Sequence, residues 1–355
     1  MEVVTIQGEL NRQQGIYYQY DRHSQPLGEG GMGRIFQGFR VDQYSGNRMY
    51  VAIKEINEEI ARDPQIVERA QREASIQIEH DNLLRMYDFV ANVEYLPLYD
   101  TNILRYYMVM ERLVGVNLEQ MMTGVCNDKS GHPIPLAQEL YAQYTEAREA
   151  AVCRIMKSIL SGVMALHDNG YIHRDIDPSN VMITIDGKIK LIDFGVCKHI
   201  HSSVPEKQLT SAGSFLGKVN YAAPELAYGD INNQNNTTDI YALGILMYQL
   251  LVGKLPFTGS KQDVLKQQVS SKLPLKNIAH KGLRKVVEKA TEKQQEKRYI
   301  SAAEMIAAID QAMVRDSRTT IINEKIYPSL PIWLWPVASC AGLVAGVIIK
   351  IITTL

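Results

Sequence analysis

The residues best suited to chemistry in this chain of 355 residues come in a fixed order: a glycine cluster, a lysine, then a series of acids. Gly28, Gly30 and Gly33 lie in the stretch GEGGMG. Backbone stripped of side chains can close over phosphate oxygens and donate its N–H groups to them. That spacing also occurs in dinucleotide-binding turns, where a helix follows the glycines at once. Here Arg34 to Phe39 alternates like a strand instead. Lys54 ends the apolar run VAIK, and an ammonium at such a strand end can hold phosphates. The acids follow in HRDIDPSN, which carries Asp175, Asp177 and Asn180, and in IDFG, which carries Asp193.

Taken together, GEGGMGRI, VAIK, HRDIDPSN, DFG, APE, TDIYALG and KRY appear in this order over roughly residues 16 to 314. With these motifs the chain resembles the eukaryotic-type serine/threonine protein kinases, with a bacterial leaning in its layout. The resemblance implies an α+β, two-lobed kinase fold. The N-lobe, about 16–110, would be an antiparallel sheet with one main helix, and the C-lobe, about 112–314, mostly helical. ATP and Mg2+ would bind between the lobes.

The resemblance also implies roles. Gly28, Gly30 and Gly33 would cover the triphosphate, and Leu27, Ile35 and Ala52 would line the nucleotide site. Lys54 would hold phosphates and pair with a helix glutamate, Glu73, with Glu68 as runner-up. Met110 falls at the gatekeeper position. Glu111 and Leu113 would offer backbone groups to adenine, and Asn117 would meet the ribose. Asp175 would be the catalytic base, and Asn180 and Asp193 the magnesium ligands. A hard cation needs such oxygen donors, and a loose phosphoryl-transfer transition state is catalysed mainly by positioning and charge. Asp239 would hold the catalytic-loop backbone, Glu225 would pair with Arg298, and His173 would pack. Ser202, Ser203, Thr210, Ser211 and Ser214 lie between DFG and APE, where a phosphate could pair with Arg174. Pro178 favours serine/threonine over tyrosine acceptors.

Two positions depart from the family pattern. The lysine expected two residues after the base is Asp177, and the threonine expected upstream of APE is Lys218. One site has lost a cation and a site the family holds close to it has gained one. Lys218 is therefore expected to take over the missing lysine's electrostatic role, with Asp177 as its ion-pair partner. Three readings compete. The first is a working kinase that transfers the γ-phosphate to protein hydroxyls and to itself. The second is a pseudokinase serving as a nucleotide-binding scaffold, which only Asp177 favours. The third is a small-molecule kinase, which APE and the full C-lobe oppose.

The elements that must position these residues are visible in the hydrophobic pattern. RMYVAIKEI and YYMVMERLV read as strands. DPQIVERAQREASIQI reads as a helix with Asp63 as N-cap and Pro64 at its first position. EAREAAVCRIMKSILSGVMALHDNG has helical spacing and ends at Gly170. TTDIYALGILMYQLLVG reads as a central buried helix, SAAEMIAAIDQAMV as a final amphipathic one, and TGVCNDKSGHPIPLAQE as a surface insertion.

A net charge of −1 supplies no basic face for nucleic acid. Four scattered cysteines suggest neither a zinc site nor a disulfide framework. After a linker at 315–327, residues 328–350 are expected to form a single transmembrane helix. No charged residue occurs from Tyr327 to Ile349, and about 20 helical residues span a bilayer core. Trp333, Trp335 and Lys350 suit the interfaces, and Arg315, Arg318 and Lys325 suit a cytoplasmic kinase domain. Gly342 and Gly346 form GxxxG, a motif for helix pairing, so a dimer is expected to form either there or through kinase-domain contacts. With only about six residues beyond the span, no sensor domain is expected on the far side.

Overall fold

Alternation along the first strands sets up the N-lobe. In the computed structural model the described residues are 2–30, 32–96, 100–194, 197–199, 218–230 and 232–326, with backbone alone at 10, 96 and 315–326. Residues up to Ile309 form one packed unit and Asp310 onward a second. The N-terminal elements are β1 (Val3–Ile6), α1 (Glu9–Gln13), β2 (Ile16–Asp21), β3 (Gly28–Gly30), β4 (Gly33–Asp42) and β5 (Arg48–Ile56). Then come α2 (Glu58–Ala61), α3 (Pro64–Ser75), β6 (Met86–Leu96) and β7 (Thr101–Glu111). The strands form one antiparallel sheet in the order β1-β2-β4-β5-β7-β6, with β3 folded onto β4. The sheet thus takes in β1, ahead of residue 16 where the motifs begin.

Successive side chains on a strand point to opposite faces. Phe36, Val51, Ile53, Tyr107 and Val109 turn to one face and pack with Tyr18 and Tyr20 as the lobe's core. Ile35, Ala52 and Lys54 turn to the other. There Ile35 pairs with Lys54 across the β4–β5 ladder, and Lys54 and Ala52 pair with Met108 and Met110 across the β5–β7 ladder. α3 opens as its sequence predicts, with Pro64 in the first turn and the Asp63 side chain accepting from the Gln65 N–H at 2.9 Å.

The C-lobe begins with β8 (Gly115–Asn117), α4 (Leu118–Met122), α5 (Pro135–Glu146) and α6 (Arg148–Asp168). Short strands β9 (Tyr171–Ile172), β10 (Val181–Thr184), β11 (Ile189–Leu191) and β12 (Lys198–His199) follow. The helices α7 (Pro224–Ala227), α8 (Asn236–Val252), α9 (Lys261–Ser270), α10 (Lys281–Ala290) and α11 (Ala302–Ile326) complete the described chain. α8 is buried along most of its length, as its apolar sequence predicts. It starts at an Asn235–Thr238 capping box and stops at Gly253, whose φ of 82° suits glycine.

α6 is long and apolar enough to cross a membrane, but ten of its residues are buried within the lobe. α11 continues through most of the stretch expected as a linker. The expected span at 328–350, with Trp333, Trp335, Gly342, Gly346 and Lys350, lies outside the described residues, as do the hydroxyls from Ser202 to Ser214.

One buried ion pair ties the far end of this lobe together. The Arg298 guanidinium donates to both Glu225 carboxylate oxygens, at 2.8 and 2.9 Å. It also donates to the carbonyls of Thr237, Glu292 and Lys293. Every N–H of the fork has an acceptor, which is what a fully buried arginine requires.

Candidate active site

The loop between β9 and β10 carries most of the candidate chemistry, and a buried acid holds it from beneath. Asp239, at the start of α8, accepts hydrogen bonds from the backbone N–H groups of His173 and Arg174, each at 2.8 Å. His167 lies at 2.8 Å from the same carboxylate. These bonds hold the Asp239 carboxyl below the usual range although burial pushes the other way. Arg174 is thereby kept at a φ of 67°, in the left-handed region that non-glycine residues rarely occupy. Its side chain donates to Gln234 at 3.1 Å. His173 is buried, packs edge-on against Phe194 and accepts the Asp175 N–H at 3.3 Å.

Asp175 and Asn180 face each other across the loop. The Asn180 amide donates to the Asp175 carbonyl at 2.9 Å and to its carboxylate at 3.2 Å. The other carboxylate oxygen accepts the Lys218 backbone N–H at 3.1 Å. Burial raises the Asp175 carboxyl above its ordinary value, with the charges of Asp177 and Asp193 adding to the effect. His173 and the Lys218 N–H oppose it. Asp193 follows β11 at a φ of 65°, again in the left-handed region.

Asn180 spends its amide donors on Asp175, and its own oxygen accepts from no described residue. That oxygen and the Asp193 carboxylate are hard donors of the kind magnesium takes. Among the described residues no group of three or more His, Cys, Asp or Glu converges on one point. A cation here would draw its remaining ligands from water and phosphate, which is how magnesium is usually held beside nucleotides.

The glycines divide into two kinds. Gly33 has a φ of 146°, and a Cβ there would stand 2.0 Å from the Glu55 carbonyl oxygen, so the fold itself demands glycine. A Cβ on Gly28 would meet only Ile35, at 3.8 Å, and one on Gly30 would meet nothing within 4 Å. Neither has a φ that requires glycine. Packing against described residues therefore does not call for glycine at these two positions. Leu27, just before them, donates its N–H to the Ile35 carbonyl at 2.7 Å.

Lys54 lies on the same sheet face as Ile35 and Ala52. Glu73 on α3 is only 5% exposed and has one oxygen without a hydrogen-bond partner. Burial pushes its carboxyl up to about 7, and the positive field of Lys54 is the largest opposing influence. No salt bridge closes between the two. Glu68, one turn earlier, is exposed and pairs with Arg72 at 2.9 Å instead.

At the link between the lobes, the Glu111 N–H donates to the Arg85 carbonyl at 2.9 Å. The Glu111 side chain accepts from the Arg85 N–H at 2.8 Å and from the Lys190 ammonium at 2.7 Å. The backbone groups of Leu113 bond to no described residue. The Asn117 side-chain oxygen caps α4 by accepting the Gln120 N–H at 2.8 Å.

Several contacts were not legible in the sequence. Lys190 sits in a run that alternates Ile-Lys-Leu, a pattern that would place it outside, yet it is buried against Glu111 and the Leu83 carbonyl. Lys129, in the insertion between α4 and α5, donates to the Leu27 carbonyl at 2.6 Å. Only its place in a turn of Asp, Ser and Gly residues could have marked that loop as reaching outward. Ser179 bridges Asp177 and Lys218, accepting from the lysine ammonium at 2.8 Å and donating to the aspartate at 2.7 Å.

Comparison of the sequence with known proteins points to one family. The model of the protein kinase domain covers residues 21–316. The chain is 31% identical to the probable serine/threonine-protein kinase PknB of Lactococcus lactis, over 82% of this chain and 42% of that protein. It is 30% identical to the serine/threonine-protein kinase PrkC of Bacillus subtilis, over 86% of this chain and 43% of the other. It is also 30% identical to the serine/threonine-protein kinase PknB of Mycobacterium leprae, over 79% and 41%. The chain spans about two fifths of the length of these relatives. Match length, motif order and site geometry agree: the chain belongs to the protein kinase family, and its kinase domain is of the serine/threonine class.

Proposed function

We propose that the chain transfers the γ-phosphate of ATP, with magnesium, to serine and threonine hydroxyls of proteins, its own included. The observation that carries this reading is the Asp175–Asn180 pair. One amide fixes the carboxylate and leaves its own oxygen for a cation. In the reaction the acceptor hydroxyl oxygen bonds to the γ-phosphorus as the bond to the β–γ bridging oxygen breaks. Asp175 orients the hydroxyl and takes its proton, and ADP leaves with the electron pair of the broken bond. Asn180 and Asp193 would hold magnesium, which supplies charge neutralisation on the phosphates. Lys54 would bind the α- and β-phosphates once Glu73 closes on it, and Gly28, Gly30 and Gly33 would lie over them. Leu27, Ile35 and Ala52 would enclose adenine, Glu111 and Leu113 would bond its edge through the backbone, and Asn117 would meet the ribose.

The apolar stretch 328–350 is proposed to anchor the chain as a single span with the kinase domain on the cytoplasmic side. Its charge-free run and the basic residues before it support that orientation. Gly342 and Gly346 would pair such spans into a dimer.

The test of function is transfer of labelled γ-phosphate to a generic protein substrate and to the chain itself, with mapping of the modified residues. Label on serine and threonine, lost with Asp175→Asn, is the expected result. Nucleotide binding without any transfer would overturn the reading. Recovery of the full chain in the soluble fraction after lysis would overturn the anchor.

A further inference from the structure

Asp177 is only 1% exposed and sits two residues from the candidate base. All the hydrogen bonds to its carboxylate fall on one oxygen. That atom accepts from the Ser179 N–H at 2.7 Å, from the Ser179 hydroxyl at 2.7 Å and from the Lys218 ammonium at 2.7 Å. The second oxygen is buried and has no partner. A carboxylate in that position is tolerable only with a counter-ion, and Lys218 is the cation bonded to it.

Lys218 is engaged with the loop twice. Its backbone N–H binds the Asp175 carboxylate, and its ammonium spans Asp177 and Ser179. An ammonium has three donors. Two are used, the third bonds to no described residue, and the side chain is 44% exposed. Its backbone N–H lies directly on the base, so the free donor belongs to the neighbourhood where the phosphoryl group and the acceptor hydroxyl must meet. Asp177 and Ser179 act as the bracket that aims it.

We propose that Lys218 is the cation of the reaction centre: Asp177 and Ser179 hold its ammonium so that the remaining N–H donates to the phosphoryl group in flight, while its backbone orients Asp175. The inference rests on the phosphotransfer reading above. It differs from a structural ion pair in one consequence. A structural pair becomes dispensable once both charges are removed together, since no buried charge is then left alone. A cation that serves the transition state does not.

The experiment compares the wild type, Lys218→Met, Lys218→Arg and the double variant Asp177→Asn/Lys218→Met in the full chain. kcat, ATP KM and the melting temperature are measured for each, with Asp175→Asn as the inactive control. Loss of one aimed donor is expected to lower kcat on the order of 100-fold in Lys218→Met. ATP KM should stay within about threefold, because the interaction is made in the transition state. Lys218→Met should also melt lower than wild type, because Asp177 loses its counter-ion. The double variant should recover the melting temperature yet keep the loss in kcat. Lys218→Arg, which keeps the charge, should stay within about tenfold of wild type.

A double variant whose kcat returns to within about threefold of wild type would reduce Lys218 to a structural partner and overturn the inference. So would a Lys218→Met enzyme with unchanged kcat. Either result in an active wild type leaves the phosphotransfer reading intact. A wild type that transfers no phosphate overturns both.

Discussion

Glu73 in the N-lobe and Asp177 in the C-lobe are both buried carboxylates with a lysine in their field, and their surroundings differ. Asp177 has its lysine at 2.7 Å and a serine bracing the pair. Glu73 has no closed salt bridge to Lys54, and one of its oxygens lacks a hydrogen-bond partner. A carboxylate left in that state favours its proton, and burial pushes Glu73 up to about 7. The C-lobe side is therefore assembled: Asp175 is bonded to the Asn180 amide and the Lys218 backbone N–H, and the Lys218 ammonium to Asp177 and Ser179. The N-lobe side is poised: Lys54 and Glu73 form no salt bridge, and the field of Lys54 only partly offsets the burial of the carboxyl. Within the C-lobe half, Asp239 holds the loop backbone from inside its own lobe.

The comparison can be broken most directly at its assembled side. Asp175→Asn keeps the shape of the loop and removes the proton acceptor. Phosphate transfer should fall about 10³-fold with ATP binding retained. Substantial residual transfer, measured against a zero-enzyme blank, would mean that the assembled half is not the reaction centre.

The Glu225–Arg298 pair is a reference for what full closure contributes. Arg298→Met strands a buried carboxylate and should destabilise the protein by roughly 3–5 kcal/mol in urea unfolding. A loss below about 1 kcal/mol, the range of exposed pairs, would show that bidentate closure matters little here.

The poised side has a pH signature. Between 4.5 and about 7 the native protein keeps the Glu73 proton that the unfolded chain has released. Stability attributable to this group therefore falls as pH rises through that window. Glu73→Gln should unfold later than wild type at about pH 8, by about 3 kcal/mol, and the difference should vanish near about pH 4. Equal stability at the higher pH would mean that Glu73 is already paired in solution.

The smallest effect is expected one turn away. Glu68 is exposed and bonded only to Arg72 along its own helix. Glu68→Gln should cost at most about 0.5 kcal/mol and leave phosphate transfer within about twofold. A large loss of transfer would make Glu68, rather than Glu73, the partner that Lys54 closes on.

Motif order carried the family and the fold class, because the glycine cluster, Lys54, Asp175, Asn180 and Asp193 follow one another along the chain in the motif order of the family whose domain matches residues 21–316. Element patterns were also legible where one face is buried. After its polar first turn α8 is apolar along most of its length and is buried, and Asp63 with Pro64 opens α3 as capping chemistry requires. Less legible were features that depend on residues far apart in the chain. β1 joins the sheet through pairing with β2, and nothing in its four residues announces that edge. The choice between Glu68 and Glu73 needed the rotation of α3, which buries one and exposes the other.

The sequence by itself determined which chemical groups this protein owns: Asp175, Asn180 and Asp193 in their motifs, Lys54 on its strand, and Asp177 where the family pattern has a lysine. Those are matters of residue type and spacing, which a chain cannot alter by folding. The motif pattern also pointed to the Lys218–Asp177 and Glu225–Arg298 pairs, which the structure closes. Only the tertiary structure set Ser179 between Asp177 and Lys218, buried Lys190 against Glu111, and left Glu73 without a salt bridge to Lys54. Charge pairing depends on distance and burial, and both come into being only when the chain has packed.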